Sequence, residues 1–464
     1  MKKFNILLAT ALLSTASFVG CEKQVFEEPY SSLSPADVFS TPERIDKAAV
    51  GMYDALQNAE WFGGRVLIYA DIRGIDCGVP SYFGDLPRFN DLTSRNGTVS
   101  SAWTAAYRTI NEANLFLKNL AANPGVAKPE NEKKYVAEAK FIRALNYFYA
   151  VNLWAQPYKF TPDASHLGVP LVLTASDAPF APENQVARNT VKEVYDQIIK
   201  DLTEAAQDLP VAPETRSINS VGRATQGAAQ ALLARVYLYM QDYNKALEYA
   251  NKVIASNKYA LNETPEVTFR EYTTLESIFS VAHNGGDNPN TNNALGQHYA
   301  PEKRADIAIS PEYVNLMEAT DLRRKNLIVE DDQLFYTRKY TGVQDWAPVL
   351  RYSEVLLIKA EALANLASSV SQEALDLVNT VRERSNATPV TATSKAELIE
   401  KILTERRIEL AFEGHGIFEF LRTGRNIPAH ATVNEQPFGS DYVVLPIPFT
   451  DIQRNPNLQQ NKGY

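Results

Sequence analysis

Residues 223–257 read RATQGAAQALLARVYLYMQDYNKALEYANKVIASN. Ala234 is followed by Tyr237, Ala246, Ala250 and Val253, at intervals of 3, 9, 4 and 3. These intervals match a tetratricopeptide helix pair. Small residues let two antiparallel helices approach closely, and the aromatic fills the groove between one pair and the next. Asp242 lies in the short turn that joins the helices.

The same pattern recurs on either side. Residues 355–386 place Ala360 before Ala374, Val378 and Val381, with a turn about two residues longer. A looser version, Ala144, Tyr147 and Tyr149, falls within 135–154. Helix signals appear at about 42–58, 101–122, 130–155, 189–208, 223–241, 243–256, 349–368, 371–386 and 396–413. Thr41-Pro42-Glu43 starts a helix, with proline in its first turn, and Ser101 and Thr190 are N-caps. The expected fold is all-α: helix pairs at about 130–155, 223–257, 349–386 and 396–422, with little β structure. Two long irregular stretches interrupt it, about 61–100 and 259–348, rich in Gly, Asn, Asp, Pro and aromatics. Long loops in a compact protein tend to carry function.

The first residues say where the chain goes. Lys2 and Lys3 precede an apolar run, residues 6–16, and small residues lead to Gly20-Cys21. This is a secretory signal pattern, and the run is shorter than the ~20 residues a spanning helix needs. A cysteine directly after Gly20 marks a bacterial lipoprotein, cut after residue 20 and lipidated on Cys21, although Phe18 stands where leucine is usual. One acyl chain anchors weakly, so stable attachment takes several. Residues 21–464 are then expected to form one domain.

The charge of −9 argues against nucleic acid as a partner, since phosphates need a basic surface. With Cys21 as anchor, Cys77 is alone, so no disulfide framework or CxxC zinc site is possible. His166, His283, His298, His415 and His430 show neither HxxxH nor HExxH spacing, and no GxSxG, Walker or GxGxxG motif occurs. Asn288, Asn290 and Asn292 alternate, but lack the glycine and final glutamate of an EF-hand. We therefore expect no enzyme, no metal and no cofactor. The carboxylates of Glu405, Glu409 and Glu413 stand among Arg406 and Arg407, which would hold them ionised, so they read as ion-paired scaffold. Arg351 with Glu354 and Glu361 reads the same way, and Arg143 as a structural charge buried through its stem.

Five stretches resemble the SusD/RagB nutrient-uptake lipoproteins of the Bacteroidetes outer membrane. They are YVAEAKFIRALNYFYAVNLWAQPY at 135–158, the helix pair within 222–254, VLRYSEVLLIKAEAL at 349–363 with LVNTVRERS at 377–385, ILTERRIELAFEGHGIFEFLRTGR at 402–425, and the final VLPIPFTDIQRNPNLQQNKGY. The order and spacing match over nearly the whole chain. Ala155-Gln156 departs from the usual Gly-Asp, and Phe420 and Thr423 depart within the fourth stretch. The prolines of the last stretch preset extended backbone that closes the fold.

The resemblance implies a surface-facing, lipid-anchored protein that captures a nutrient and passes it to a TonB-dependent transporter of the SusC type. An oligosaccharide is the favoured ligand and a peptide, as in RagB-like members, the alternative. It also implies a pocket built from about 61–100 and 283–346. There, aromatic rings alternate with Arg, Asp and Asn, which suits the C–H face and hydroxyl rim of a sugar and also suits a peptide. Trp61 and Trp346 fall at loop positions, whereas Trp103 and Trp154 read as core. The candidate ligand residues are Asp71, Arg73, Tyr82, Asn96, Tyr299 and Trp346. A different class, a tetratricopeptide assembly scaffold, would lack convergent aromatics in the two loops. A surface hydrolase would instead show paired carboxylates ~5–9 Å apart in a cleft.

Overall fold

A computed structural model describes residues 34–176 and 184–464; the signal segment 1–20 and Cys21 lie outside the described residues. The longer helices among the described residues are α1 (Pro42–Leu56), α2 (Arg65–Asp71), α3 (Gly97–Ala122), α4 (Pro129–Trp154), α5 (Val191–Asp208), α6 (Gln226–Tyr239), α7 (Tyr243–Ala255), α8 (Tyr352–Leu366), α9 (Gln372–Arg384), α10 (Lys395–Leu410) and α11 (Gly416–Arg422). Their starts are set by caps. Thr41 accepts from the Arg44 amide, Asn96 from Val99, Asp242 from Lys245, Ser371 from Ala374 and Ser394 from Glu397, and Thr190 forms a full capping box with Glu193. Ser101, expected as a cap, lies inside α3, because Asn96 starts that helix about a turn earlier.

The long helices stack in chain order. α3 packs on α4, α4 on α5, α5 on α6, α6 on α7, α7 on α8, and α8 on both α9 and α10. Ala234, Ala246, Ala250 and Val253 are fully buried between α6 and α7. Tyr237 is half-buried against the core. It stacks on Tyr249 of its own pair, with ring centroids 5.5 Å apart. The terminal PIP segment closes the stack at the end of α4: Leu445 donates its amide to Leu153, Trp154 Nε1 donates to the Pro446 carbonyl at 3.1 Å, and Asn461 bonds both Trp154 and Leu445.

The described residues are mostly helical, with two small antiparallel sheets among them. β1 (Ser277–Val281) pairs with β4 (Ala347–Arg351), and β2 (Ile328–Asp331) pairs with β3 (Leu334–Thr337). The expected helix at 349–368 is therefore corrected at its start: residues 349–351 complete β4, and Arg351, in extended conformation, is the residue before α8. All of β1 and β4 is buried, so their sequences lack the polar alternation that marks a half-buried strand. The β2–β3 turn, Asp332-Gln333, has φ of 46° and 66°, the left-handed pair that a two-residue hairpin requires.

Candidate ligand-binding site

The two insertions meet. Gly64, at φ 146°, turns the chain into α2 against the Leu295 side chain, and Arg65 is the first residue of that helix. The Arg65 guanidinium donates to Glu60 at 2.7 Å, to the Tyr82 hydroxyl at 2.8 Å and to the Asn292 carbonyl at 3.0 Å. Tyr82 sits on a single helical turn, residues 81–83, ended by Gly84 at φ 57°. Its hydroxyl donates to the Asn292 carbonyl at 3.2 Å, and its ring stands 5.0 Å from both Phe83 and His298. The Arg304 guanidinium lies 4.2 Å from the Tyr82 ring centre, bonded to Asn292 Oδ1 and to Asp306. His298 is fully buried with Nδ1 2.8 Å from Asp306. Burial holds its imidazole below the ordinary value despite that carboxylate, so it is neutral at pH 7 and donates from Nδ1. Tyr82 keeps 38% of its surface exposed. The result is a solvent-facing ring bordered by two guanidiniums, an amide and a carboxylate.

A second aromatic pair lies within the later insertion. Trp346 stacks on Tyr272 at 5.1 Å and 10°, and donates from Nε1 to the His283 carbonyl at 2.8 Å. Tyr272 donates to Asp345, which also accepts from the Gly342 amide. Tyr272 is half-buried and covers Trp346, so it is the ring more open to solvent.

The six candidates thus have distinct settings. Tyr82 and Trp346 belong to these two aromatic groups. Asp71 is buried at the end of α2 and accepts from the Gly414 and Gly416 amides. Arg73 is buried, donating to the Leu86 and Tyr442 carbonyls with its guanidinium 4.5 Å from the Phe89 ring centre. Asn96 caps α3. Tyr299 is fully buried among Tyr340 and Phe412, with its hydroxyl toward Cys77. Trp61 is also core, donating to Asn146 at 2.6 Å and packed 6.0 Å from Trp154. Sequence reasoning passed over Tyr272, Asn292, His298 and Arg304. Arg304 stands in PEKRAD, which reads as a solvated charge run. Asn292 was visible only as part of an asparagine-rich stretch.

The charged motifs are sealed elsewhere. Glu409 accepts from Arg384 at 2.6 Å and from Arg351 and Arg323 at 3.1 Å. Glu276 binds Arg351 and Arg384, and Glu413 binds Lys339 and Arg351, each at 2.6–2.8 Å. Glu405 binds Arg323 and Arg382. These pairs join separate elements rather than neighbours on α10. Glu354 and Glu361 likewise pair with Arg235 and Arg422, not with Arg351 as expected. Arg143 is buried to its head group, which Asp201 clamps with two bonds of 2.8 Å.

A stacked-pair helical scaffold carrying a composite aromatic and guanidinium face defines a helical-repeat protein with inserted loops. Comparison with known proteins narrows this. A family model described as starch-binding, associating with outer membrane, matches residues 26–238, and one described as SusD family matches 320–464. A SusD superfamily protein from Bacteroides fragilis is 31% identical, with TM-score 0.80 over 91% of this chain and 100% of that one. The SusD-like protein P2 of Formosa agariphila is 28% identical over the full length of both chains. A laminarin-binding SusD-like protein shares the fold at TM-score 0.72 and 23% identity, over 92% of this chain and 100% of that one. The chain belongs to the SusD/RagB family.

Proposed function

We propose that this chain is an outer-membrane binding protein that captures an oligosaccharide at the cell surface and passes it to a SusC-type TonB-dependent transporter. In this reading residues 1–20 are removed, Cys21 carries the lipid anchor and 21–464 form one domain without catalytic machinery. The observation that carries the ligand site is the meeting of the two insertions at Tyr82, where Arg65, Asn292 and Arg304 surround an exposed ring. Aromatic faces pack against the C–H surface of a pyranose, while guanidinium and amide groups bind its hydroxyls. Tyr82 and the Tyr272–Trp346 pair are the proposed platforms. Asp71, Arg73, Asn96 and Tyr299 enter the proposal as supports of the loops that hold them. The family description naming starch favours a glucan class.

Calorimetric titration of the protein with malto- and laminari-oligosaccharides, against a mixture of short peptides, tests the reading. Saturable glycan binding that Tyr82→Ala abolishes is expected. Binding of peptides alone would transfer the site to the peptide role, and a Trp346→Ala variant with unchanged affinity would remove that platform. Co-purification in mild detergent tests the transporter, with recovery as a lone monomer the adverse result. Loss of fatty-acid labelling in Cys21→Ser tests the anchor.

A further inference from the structure

Four charges border the Tyr82 ring, and they cancel. The Arg65 guanidinium lies 5.5 Å from the ring centre and that of Arg304 4.2 Å. Each holds a carboxylate: Arg65 donates to Glu60 at 2.7 Å, and Arg304 to Asp306 at 2.9 Å. Asn292 ties the two pairs together, its carbonyl accepting from Arg65 and its side-chain Oδ1 from Arg304. The buried His298 beside Asp306 is neutral and adds no charge. Water reaches both carboxylates, since Glu60 keeps 30% of its side chain exposed and Asp306 16%.

The atoms left open on this face decide what it can bind. Glu60 uses one oxygen twice: Oε2 accepts from Arg65 and from the Tyr69 hydroxyl at 3.2 Å. Its Oε1 makes no hydrogen bond among the described residues and is not a buried atom. Asp306 repeats the arrangement. Its Oδ2 takes the His298 and Arg304 Nε bonds, at 2.8 and 2.9 Å, and leaves Oδ1 a contact of only 3.5 Å. A carboxylate oxygen accepts and cannot donate. A sugar hydroxyl can donate to it, whereas a uronate or a sulfate brings only acceptor oxygens and a like charge. The donors left on Arg65 and Arg304 lie beside these same carboxylates. An acidic group that reaches for either guanidinium therefore meets Glu60 or Asp306, at a range where water weakens repulsion without removing it.

We propose that Glu60 and Asp306 set the specificity of the Tyr82 face. It takes uncharged sugars, whose hydroxyls donate to the open carboxylate oxygens, and it rejects uronates and sulfated sugars. The inference rests on the glycan reading of this face, and adds to it the class of sugar and the two residues that select it.

Calorimetric titration of the full chain tests this with laminarihexaose and maltohexaose, each against the same sugar with its primary alcohols oxidised to carboxylates. The uncharged form is expected to bind at least about ten-fold tighter than its oxidised counterpart. The double variant Glu60→Gln/Asp306→Asn removes both charges and keeps an oxygen for Arg65 and for Arg304. It should shrink that ratio about ten-fold, and its binding of the oxidised sugar should weaken as salt rises. Asp196→Asn/Glu214→Gln removes as much charge from exposed positions on α5 and in the loop after it, and should leave the ratio unchanged. Equal binding of the two forms by the parent protein, or a ratio that the two double variants change alike or not at all, overturns the inference while the glycan reading stands. Absence of binding by both uncharged sugars overturns the two together.

Discussion

The Glu409 cluster and the Tyr82 face both set arginines beside carboxylates, and they differ in what water can reach. In the cluster, the side chains of Arg323, Arg351, Arg384, Glu276 and Glu409 are all nearly or fully buried, and each carboxylate oxygen is already claimed. On the Tyr82 face, Arg304 keeps about a third of its side chain exposed, 31%, and Asp306 keeps 16%. Buried charges that satisfy one another have no capacity left for a ligand, and losing one partner strands the rest. Partly exposed charges contribute less to stability, and water or a ligand can still reach them. The residues that look most chemical in this sequence therefore hold the scaffold together, while water still reaches the charges around Tyr82.

The sharpest way to break this contrast is Glu409→Ala. It leaves three guanidiniums without their shared carboxylate and should cost about 3–5 kcal/mol, read from urea unfolding. A midpoint within error of the parent would mean the cluster is not structural. Acid supplies a related test. Burial alone would raise the Glu409 carboxyl, but Arg384, Arg351 and Arg323 together hold it well below its ordinary 4.5. Its contribution is therefore complete above that value and is lost as pH falls through the lower folded value. Asp71 has the opposite sign. Burial pushes its carboxyl up to about 7 against the Gly414 and Gly416 amides, so its native state favours the proton and stability declines as pH rises from 3.8 through about 7. Urea midpoints across pH should lose the acid-side slope in Glu409→Gln and the neutral-side slope in Asp71→Asn.

Next in size is Gly296→Ala. A Cβ there would run into the backbone of Gly342, which cannot swing aside as a side chain could. Overpacking of this kind costs about 1–3 kcal/mol. Faster amide exchange in residues 283–300 is expected, with the helix stack unaffected. Smallest in stability is Arg304→Ala, expected to move unfolding by under ~0.5 kcal/mol while weakening oligosaccharide binding about ten-fold. A stability loss matching that of Glu409→Ala would erase the distinction between the two regions.

Much of this was legible in the residues, for identifiable reasons. Caps and helical periodicity are local, so α1, α4, α5, α7 and α9 lie within two residues of the expected limits at both ends. The start of α8 was misplaced because β4 exists only through β1, whose pairing residues stand far away in the chain. The charged motifs could be recognised as scaffold from residue type alone, but their partners could not. Glu276, Arg323 and Lys339 come from within an apparently irregular stretch. Burial within the loops was the least legible. Where a segment such as 61–73 folds into the core, an aspartate or tryptophan in a loop is indistinguishable in sequence from one that faces a ligand.

The β1–β4 pairing has a consequence for how such proteins diversify. Val281 and Ala347 are register partners, so the insertion leaves and returns at one place, and within it Arg323 and Lys339 tie back to Glu405, Glu409 and Glu413. The scaffold meets a closed neck, not a long open loop. Lengthening a loop whose ends are already held together adds little entropy cost, about 0.6 kcal/mol per doubling. Such a neck lets the inserted surface be rewritten residue by residue, or extended, while the helices behind it keep their register.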